Sequence, residues 1–255
     1  MPDILLQKRL YDELAAADGD AADGYYRHAG PGFRLRRVAE AVDRHRPQVL
    51  LDAGCGDGVL MAEIERSSAV LCIGVDLSEV SLARAKGRGL AVCGDLAHLP
   101  LKAGTVDVAV AAEVLEHVDS PDEVLAELRL VLKPSGRLIA TVPVADWFKL
   151  IKGALLRAPV KYLDQLTHRR EWSAVGFGAY TDIRELFSII ATTGYSIRLL
   201  RGIFYYGWRM ERSVDDWYLA GRRRCRTLWR LDSLLGRLPL VRCLGKYLLI
   251  EAAPR

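Results

Sequence analysis

Val49-Leu50-Leu51-Asp52-Ala53-Gly54-Cys55-Gly56-Asp57-Gly58 is an apolar strand that runs into an acid and then into glycines at alternate positions. A helix is expected from about Gly58 to Arg66. Glycine at every second position lets the backbone bend tightly and approach a ligand without Cβ collisions. Strand, loop and helix together form a ligand-binding turn at the carboxyl end of the first strand, where open α/β sheets bind nucleotides. The spacing limits the ligand. A dinucleotide fingerprint needs a third glycine five residues after the first, and position 59 is valine. With no pyrophosphate to cradle, a GxGxG loop can fold around the amino-acid end of a nucleoside ligand.

Outward from this turn, short β-rich runs alternate with helices. Leu71–Val75 is a second strand ending at Asp76, and Ser78 then caps a helix with Glu79 in its first turn. Leu90–Cys93, Val106–Ala112 and Arg137–Val142 read as the third to fifth strands. Ser120-Pro121-Asp122-Glu123 has the form of a capping box with proline at the first helical position. It opens a helix to Leu132, which Pro134-Ser135-Gly136 closes. Thr181 is expected to cap a helix ending at Gly194, with a strand from Tyr195 to Ile203 and a closing strand at Lys246–Glu251. Apolar strands alternating with helices specify an α/β, Rossmann-like fold: a mainly parallel seven-stranded sheet, helices on both faces and a helical C-terminal insertion. Residues 1–45 form an N-terminal helical cap, broken at Ala17–Gly24 and again at Gly30-Pro31-Gly32. The core spans 46–203 with a less regular segment at 144–180. A basic aromatic insertion at 204–245 and the closing strand at 246–255 complete the chain.

Acids recur at the strand ends. Asp76 lies in Gly74-Val75-Asp76-Leu77-Ser78, where a carboxylate can accept both hydroxyl hydrogens of a ribose. Asp95, in Gly94-Asp95-Leu96, can accept from an adenine amino group, and Glu113 opens Glu113-Val114-Leu115-Glu116-His117-Val118 after the fourth strand. Singly, each acid is as readily a turn former or helix cap. In order, at the ends of successive strands, they surround one crevice.

The runs LLDAGCGDG, GVDLS, GDLAHLP, VDVAVAAEVLEHV and LKPSGRLIATVP resemble the successive motifs of class I S-adenosylmethionine-dependent methyltransferases. Within that class the chain is most similar to the small-molecule enzymes that include those of ubiquinone and menaquinone biosynthesis. The resemblance covers residues 45–145 and extends weakly to Thr181–Leu200. It implies S-adenosylmethionine as cofactor, with Asp52, Gly54, Cys55 and Gly56 around the methionine part and Asp76 with Leu77 at the ribose. It places Asp95 and Leu96 at the adenine and the backbone of Glu113 at the methionine end. Displacement at the methyl carbon needs alignment and exclusion of water, and an oxygen or nitrogen acceptor can also need a base. His117 is the first candidate base and His168, on the acceptor side in Thr167-His168-Arg169-Arg170, the second. Local structural roles remain open for both. No metal site of acids and amides is evident. An NAD(P)-dependent oxidoreductase is disfavoured by Val59 and by the acids Asp95 and Glu113. A non-catalytic cofactor-binding module remains an alternative. So does an RNA methyltransferase, although no NPPY-like tetrapeptide follows the fourth strand.

Composition sets the outer bounds. An apolar fraction of 51% supplies a sizeable core, and the five cysteines lack CxxC spacing, which argues against a zinc site or a disulfide framework. Met1-Pro2-Asp3 does not open a signal peptide and no apolar run spans a membrane, so a cytoplasmic location is expected. From Arg201 to Arg255, 12 Lys/Arg face 5 Asp/Glu. This basic segment interleaves Trp208, Trp217, Tyr218 and Trp229 with arginines. It suggests an amphipathic cover for an apolar or lipid-linked acceptor, with peripheral contact to an anionic membrane. Tyr25-Tyr26-Arg27 is a candidate for closing over the cofactor.

Overall fold

The computed structural model describes residues 4–18, 29–65, 69–143, 183–203, 234, 235, 238 and 247–255. Its strands are β1 (Val49–Ala53), β2 (Leu71–Asp76), β3 (Leu90–Cys93), β4 (Val106–Ala112), β5 (Leu132–Pro143), β6 (Tyr195–Ile203) and β7 (Tyr247–Pro254). They form one seven-stranded sheet in the order β3-β2-β1-β4-β5-β7-β6. Pairing is parallel from β3 to β5, and β7 runs antiparallel to both β5 and β6. The chain winds from β1 to β2 and β3 on one side, then returns to place β4 on the other side of β1. Strand order therefore reverses at β1, and a crevice opens at its carboxyl end.

The helices are α1 (Ile4–Asp18), α2 (Ala29–Asp43), α3 (Val59–Glu65), α4 (Glu79–Ala85), α5 (Pro121–Val131) and α6 (Ile183–Thr192). Alternation along β1 feeds two apolar layers. Leu50 packs with Val38 and Val42 of α2, Met61 and Ile64 of α3, Val108, Val110 and Ile139. Leu51 joins Leu125 and Leu128 of α5, Leu186 and Ile190 of α6, Ala109 and Leu138. Tyr195 is fully buried and donates its hydroxyl to the Leu125 carbonyl at 3.2 Å, which satisfies the one polar atom it takes into the core. No described helix is long and apolar enough to cross a membrane.

Three local expectations need correction. Gly30-Pro31-Gly32 does not break the N-terminal helix but lies in the first turn of α2. The first N–H groups of a helix have no internal acceptor, so proline loses nothing there. The capping box is not formed. Ser120 makes no side-chain bond, and the start of α5 relies on Pro121, the acids Asp122 and Glu123, and the Ser120 carbonyl accepting from Val124 at 3.2 Å. Pro134-Ser135-Gly136 belongs to β5, which begins at Leu132 and meets β4 with a register shift between Val106 and Val108. The segments 144–180 and 204–245 lie outside the described residues, apart from positions 234, 235 and 238. Both are attached at the crevice end, since Tyr247 pairs with Pro143 on one side and with Ile203 on the other.

Gly74 in β2 is a position where the fold leaves no room. A Cβ there would lie 2.7 Å from both Cys55 Sγ and Met61 Cε and 2.9 Å from Cys55 Cβ. Gly74→Ala is expected to cost about 1–3 kcal/mol by overpacking, read from urea unfolding. An unchanged unfolding midpoint would show that the β1 loop yields freely.

Candidate functional site

The loop after β1 is held from two directions. The N–H groups of Gly54 and Cys55 both donate to the Val75 carbonyl, at 2.7 and 3.2 Å, which pins the loop to β2. Gly54 and Gly56 have φ of +72° and +51°, in the left-handed region that a Cβ disfavours. At Gly54 a Cβ would also strike Val114 Cγ2 at 2.5 Å, whereas at Gly56 it would meet nothing within 4 Å. The loop is thus tight against Val114, just after β4, at Gly54 and open at Gly56, where a side chain would fill the space. Asp76 completes it. One carboxylate oxygen accepts the Gly56 N–H at 2.8 Å and the other accepts the Ser78 N–H at 2.9 Å. Ser78 caps α4 by accepting from Ser81 N–H at 3.2 Å, as its position foretells.

Burial raises the proton affinity of Asp76, against the pull of its bonds from Ser78, Gly56 and Leu77. Asp52, at the end of β1 and 3% exposed, is pushed up to about 7 by burial and then by the charge of Asp76. Cys55 is buried in the same loop, and burial drives its thiol well above the ordinary range. Cys55 therefore takes part in the loop as an inert, space-filling residue. Leu77 follows Asp76 in a bend, and its carbonyl lies 3.6 Å from Cys93 Sγ. After β3, Asp95 accepts Ala97 N–H at 2.9 Å and faces His98 Nδ1 at 3.2 Å, so it shapes its own turn, while Leu96 is buried in the core.

At the end of β4, Glu113 adopts φ +61°, unusual for a residue with a Cβ. Its N–H donates to the Thr141 carbonyl at 2.9 Å, and its carboxylate pairs with Arg34 of α2 at 3.1 Å. The Arg34 guanidinium stacks 4.8 Å over the Tyr247 ring. Glu116 is 2% exposed, and neither carboxyl oxygen has a hydrogen-bond partner among the described residues. Burial first, and the neighbouring charge of Glu113 second, push it well up, so it holds a proton at neutral pH. His117 is 21% exposed, with Nε2 3.9 Å from Glu116 Oε1. The structure thus brings Asp52, Gly54, Cys55, Gly56, Asp76, Glu113 and His117 to one end of the sheet, with Asp95 at the β3 side. His168 and Tyr25-Tyr26-Arg27 lie outside the described residues.

Sequence reasoning missed the contribution of α1. Tyr11 donates its hydroxyl to the His117 carbonyl at 3.1 Å, and Asp12 accepts from Ser78 Oγ at 2.7 Å. Nothing local marks these residues, because their partners lie more than sixty positions away. Arg34, which anchors Glu113, escaped notice for the same reason.

Glu116 has a consequence for stability. An unfolded glutamate releases its proton near 4.5, whereas the folded chain keeps it to higher pH. Stability is therefore greatest below that value and declines as pH rises towards the folded pKa. Glu116→Gln removes the decline. It is expected to stabilise by on the order of 2 kcal/mol at pH 7.5 and by little at pH 4, in urea unfolding at the two values. Equal gains at both pH values would contradict a neutral Glu116.

Comparison with known proteins agrees with this geometry. Residues 51–140 match the methyltransferase domain family. A malonyl-[acyl-carrier protein] O-methyltransferase of Herminiimonas arsenicoxydans is 35% identical over 54% of this chain and 52% of its own length. A ubiquinone biosynthesis O-methyltransferase of Marinobacter nauticus is 28% identical over 76% of this chain and 84% of its own. The chain spans between 34% and 62% of the length of three other curated relatives. Among solved structures, an S-adenosylmethionine-dependent methyltransferase from Mesorhizobium loti superposes with TM-score 0.57 at 18% identity, covering 86% of this chain and 97% of that one. The 1,6-didemethyltoxoflavin-N1-methyltransferase of Burkholderia thailandensis, solved with S-adenosylhomocysteine, gives 0.56 at 18%, covering 96% and 87%. Residues 51–140 thus match a methyltransferase domain, and the sheet that carries them shares its fold with the solved S-adenosylmethionine-dependent methyltransferase of Mesorhizobium loti.

Proposed function

We propose that the chain transfers the methyl group of S-adenosylmethionine to a small acceptor, with oxygen favoured over nitrogen or carbon as the receiving atom. The observation that carries this reading is the Asp76 bridge, which sets a carboxylate able to accept further hydrogen bonds beside the glycine loop after β1. The cofactor would supply a methyl group on a positively charged sulfur. Asp52 and the Gly54–Gly56 loop would hold its methionine end, with the Glu113 backbone closing that end. Asp76 with Leu77 would hold the ribose, and Asp95 with Leu96 the adenine. Oxygen is favoured by the O-methyltransferases among the relatives. An apolar or lipid-linked acceptor is favoured by the aromatic and basic residues of 144–180 and 204–245.

Calorimetry and thermal melting with S-adenosylmethionine and S-adenosylhomocysteine test the cofactor. Either ligand at one hundred times its dissociation constant is expected to stabilise by ~2.7 kcal/mol. An ammonium beside Asp52 favours the carboxylate, so binding should release a proton and tighten as pH rises through about 7. A response to NAD and none to either sulfur ligand would refute the assignment.

His117 is the proposed base. Its own N–H bond to the Val114 carbonyl and the Tyr11 bond to its carbonyl are main-chain contacts that survive loss of the imidazole. His117→Ala is therefore expected to depress turnover by ~10²–10⁴ with cofactor affinity little changed. If affinity and melting temperature fall together with turnover, the ring props the loop instead.

A further inference from the structure

Helix α1 reaches across the crevice mouth and grips both rims with adjacent residues. On the β4 side, Tyr11 donates to the His117 carbonyl at 3.1 Å, and Gln7 bonds Asp119. On the β2 side, Asp12 accepts from Ser78 Oγ at 2.7 Å and from Val80 N–H at 3.3 Å, and Lys8 pairs with Glu79. One turn further on, the Ala15 carbonyl accepts from Arg84 at 2.9 Å. The described side chains of α1 join neither apolar core, and Ile4 and Leu5 stand 41% and 65% exposed. Among the described side chains, the contacts that dock the helix are polar ones that water can replace, each individually weak.

The contacts also lead into the cofactor loop. Asp12 holds the hydroxyl of Ser78, whose N–H is held by Asp76, which in turn holds the N–H of Gly56. A ligand that orders the Asp76 bridge orders the surface on which α1 sits, and a docked α1 orders the bridge. Two events that share one set of contacts favour one another equally in both directions. The geometry points to α1 as a wall of the cofactor site, with Tyr11 and Asp12 as positioning residues whose docking is coupled to cofactor binding. This inference rests on the cofactor reading above. It makes the cofactor's departure depend on release of both rims, so α1 governs how long the cofactor stays.

Hydrogen exchange on the full-length chain, with and without saturating S-adenosylhomocysteine, reads the coupling directly. The α1 amides are expected to exchange at least about tenfold more slowly in the complex. Tyr11→Phe removes only a hydroxyl, and Asp12→Asn only a charge. Each is expected to speed release of S-adenosylhomocysteine by about five- to tenfold in stopped-flow measurements, with the melting temperature of the free chain unchanged. The idea is overturned if the parent binds S-adenosylhomocysteine without slowing α1 exchange. It is equally overturned if both variants release the ligand at the parent's rate, whether or not they melt lower. A parent that binds neither S-adenosylhomocysteine nor S-adenosylmethionine removes the cofactor reading itself, and the coupling with it.

Discussion

The two backbone bonds accepted by Asp76 hold the site together. A carboxylate has enough lone pairs to serve two peptide segments and still receive a ligand. Asp76 uses one oxygen on the glycine loop after β1 and the other on the start of α4, so two turns from successive strands are fixed by one side chain. Both donors are main-chain groups, and their positions follow from sheet register: Asp52 of β1 lies beside Gly74 of β2 and Ala53 beside Val75. The absence of a side chain at Gly74 lets Cys55 settle over β2, and that seat brings Gly56 within reach of Asp76.

On the other side of β1 the same problem of buried charge is solved differently. Glu113 sits in a conformation that costs on the order of 1 kcal/mol or more for a residue with a Cβ. The Arg34 pair and the bond to Thr141 hold it there. Burial first, and the nearby charge of Glu113 second, make a negative charge at Glu116 unfavourable, and that carboxyl stays neutral. The crevice therefore has one wall of hydrogen-bonded carboxylate and one where a carboxylate paired with arginine stands near a buried, neutral one.

Much of this was legible in the sequence, because the elements concerned are local. Apolar runs ending in Asp52, Asp76 and Ala112 announce strands, and Ser78 announces the helix after β2 and caps it as expected. The strand-end acids could be placed on one crevice because parallel strands in a wound sheet must all end on the same side. What failed depended on context. Ser120 carries the signature of a cap, yet Pro121 and the first-turn acids already meet the needs of that helix end. Gly30-Pro31-Gly32 looks like a break and is accommodated in a first turn, where a missing donor costs nothing. Tyr11, Asp12 and Arg34 were invisible because only the folded chain brings them to Ser78, His117 and Glu113. Asp95 lies after β3, where its place in the sheet was read, and its contacts within the chain also shape a turn.

The reversed strand β7 has a consequence for how such a chain can diversify. Because β7 runs against its neighbours, it starts where β5 and β6 finish, with Tyr247 seated between Pro143 and Ile203. The chain between Ile203 and Tyr247 leaves and re-enters the sheet at neighbouring points, and the chain after Pro143 departs from the same rim. Closing a loop between fixed neighbours costs an entropy that grows only slowly with its length. Segments anchored in this way can be lengthened, shortened or replaced wholesale without disturbing a single strand pairing. The rim can thus carry different segments while the strands beneath it keep their register.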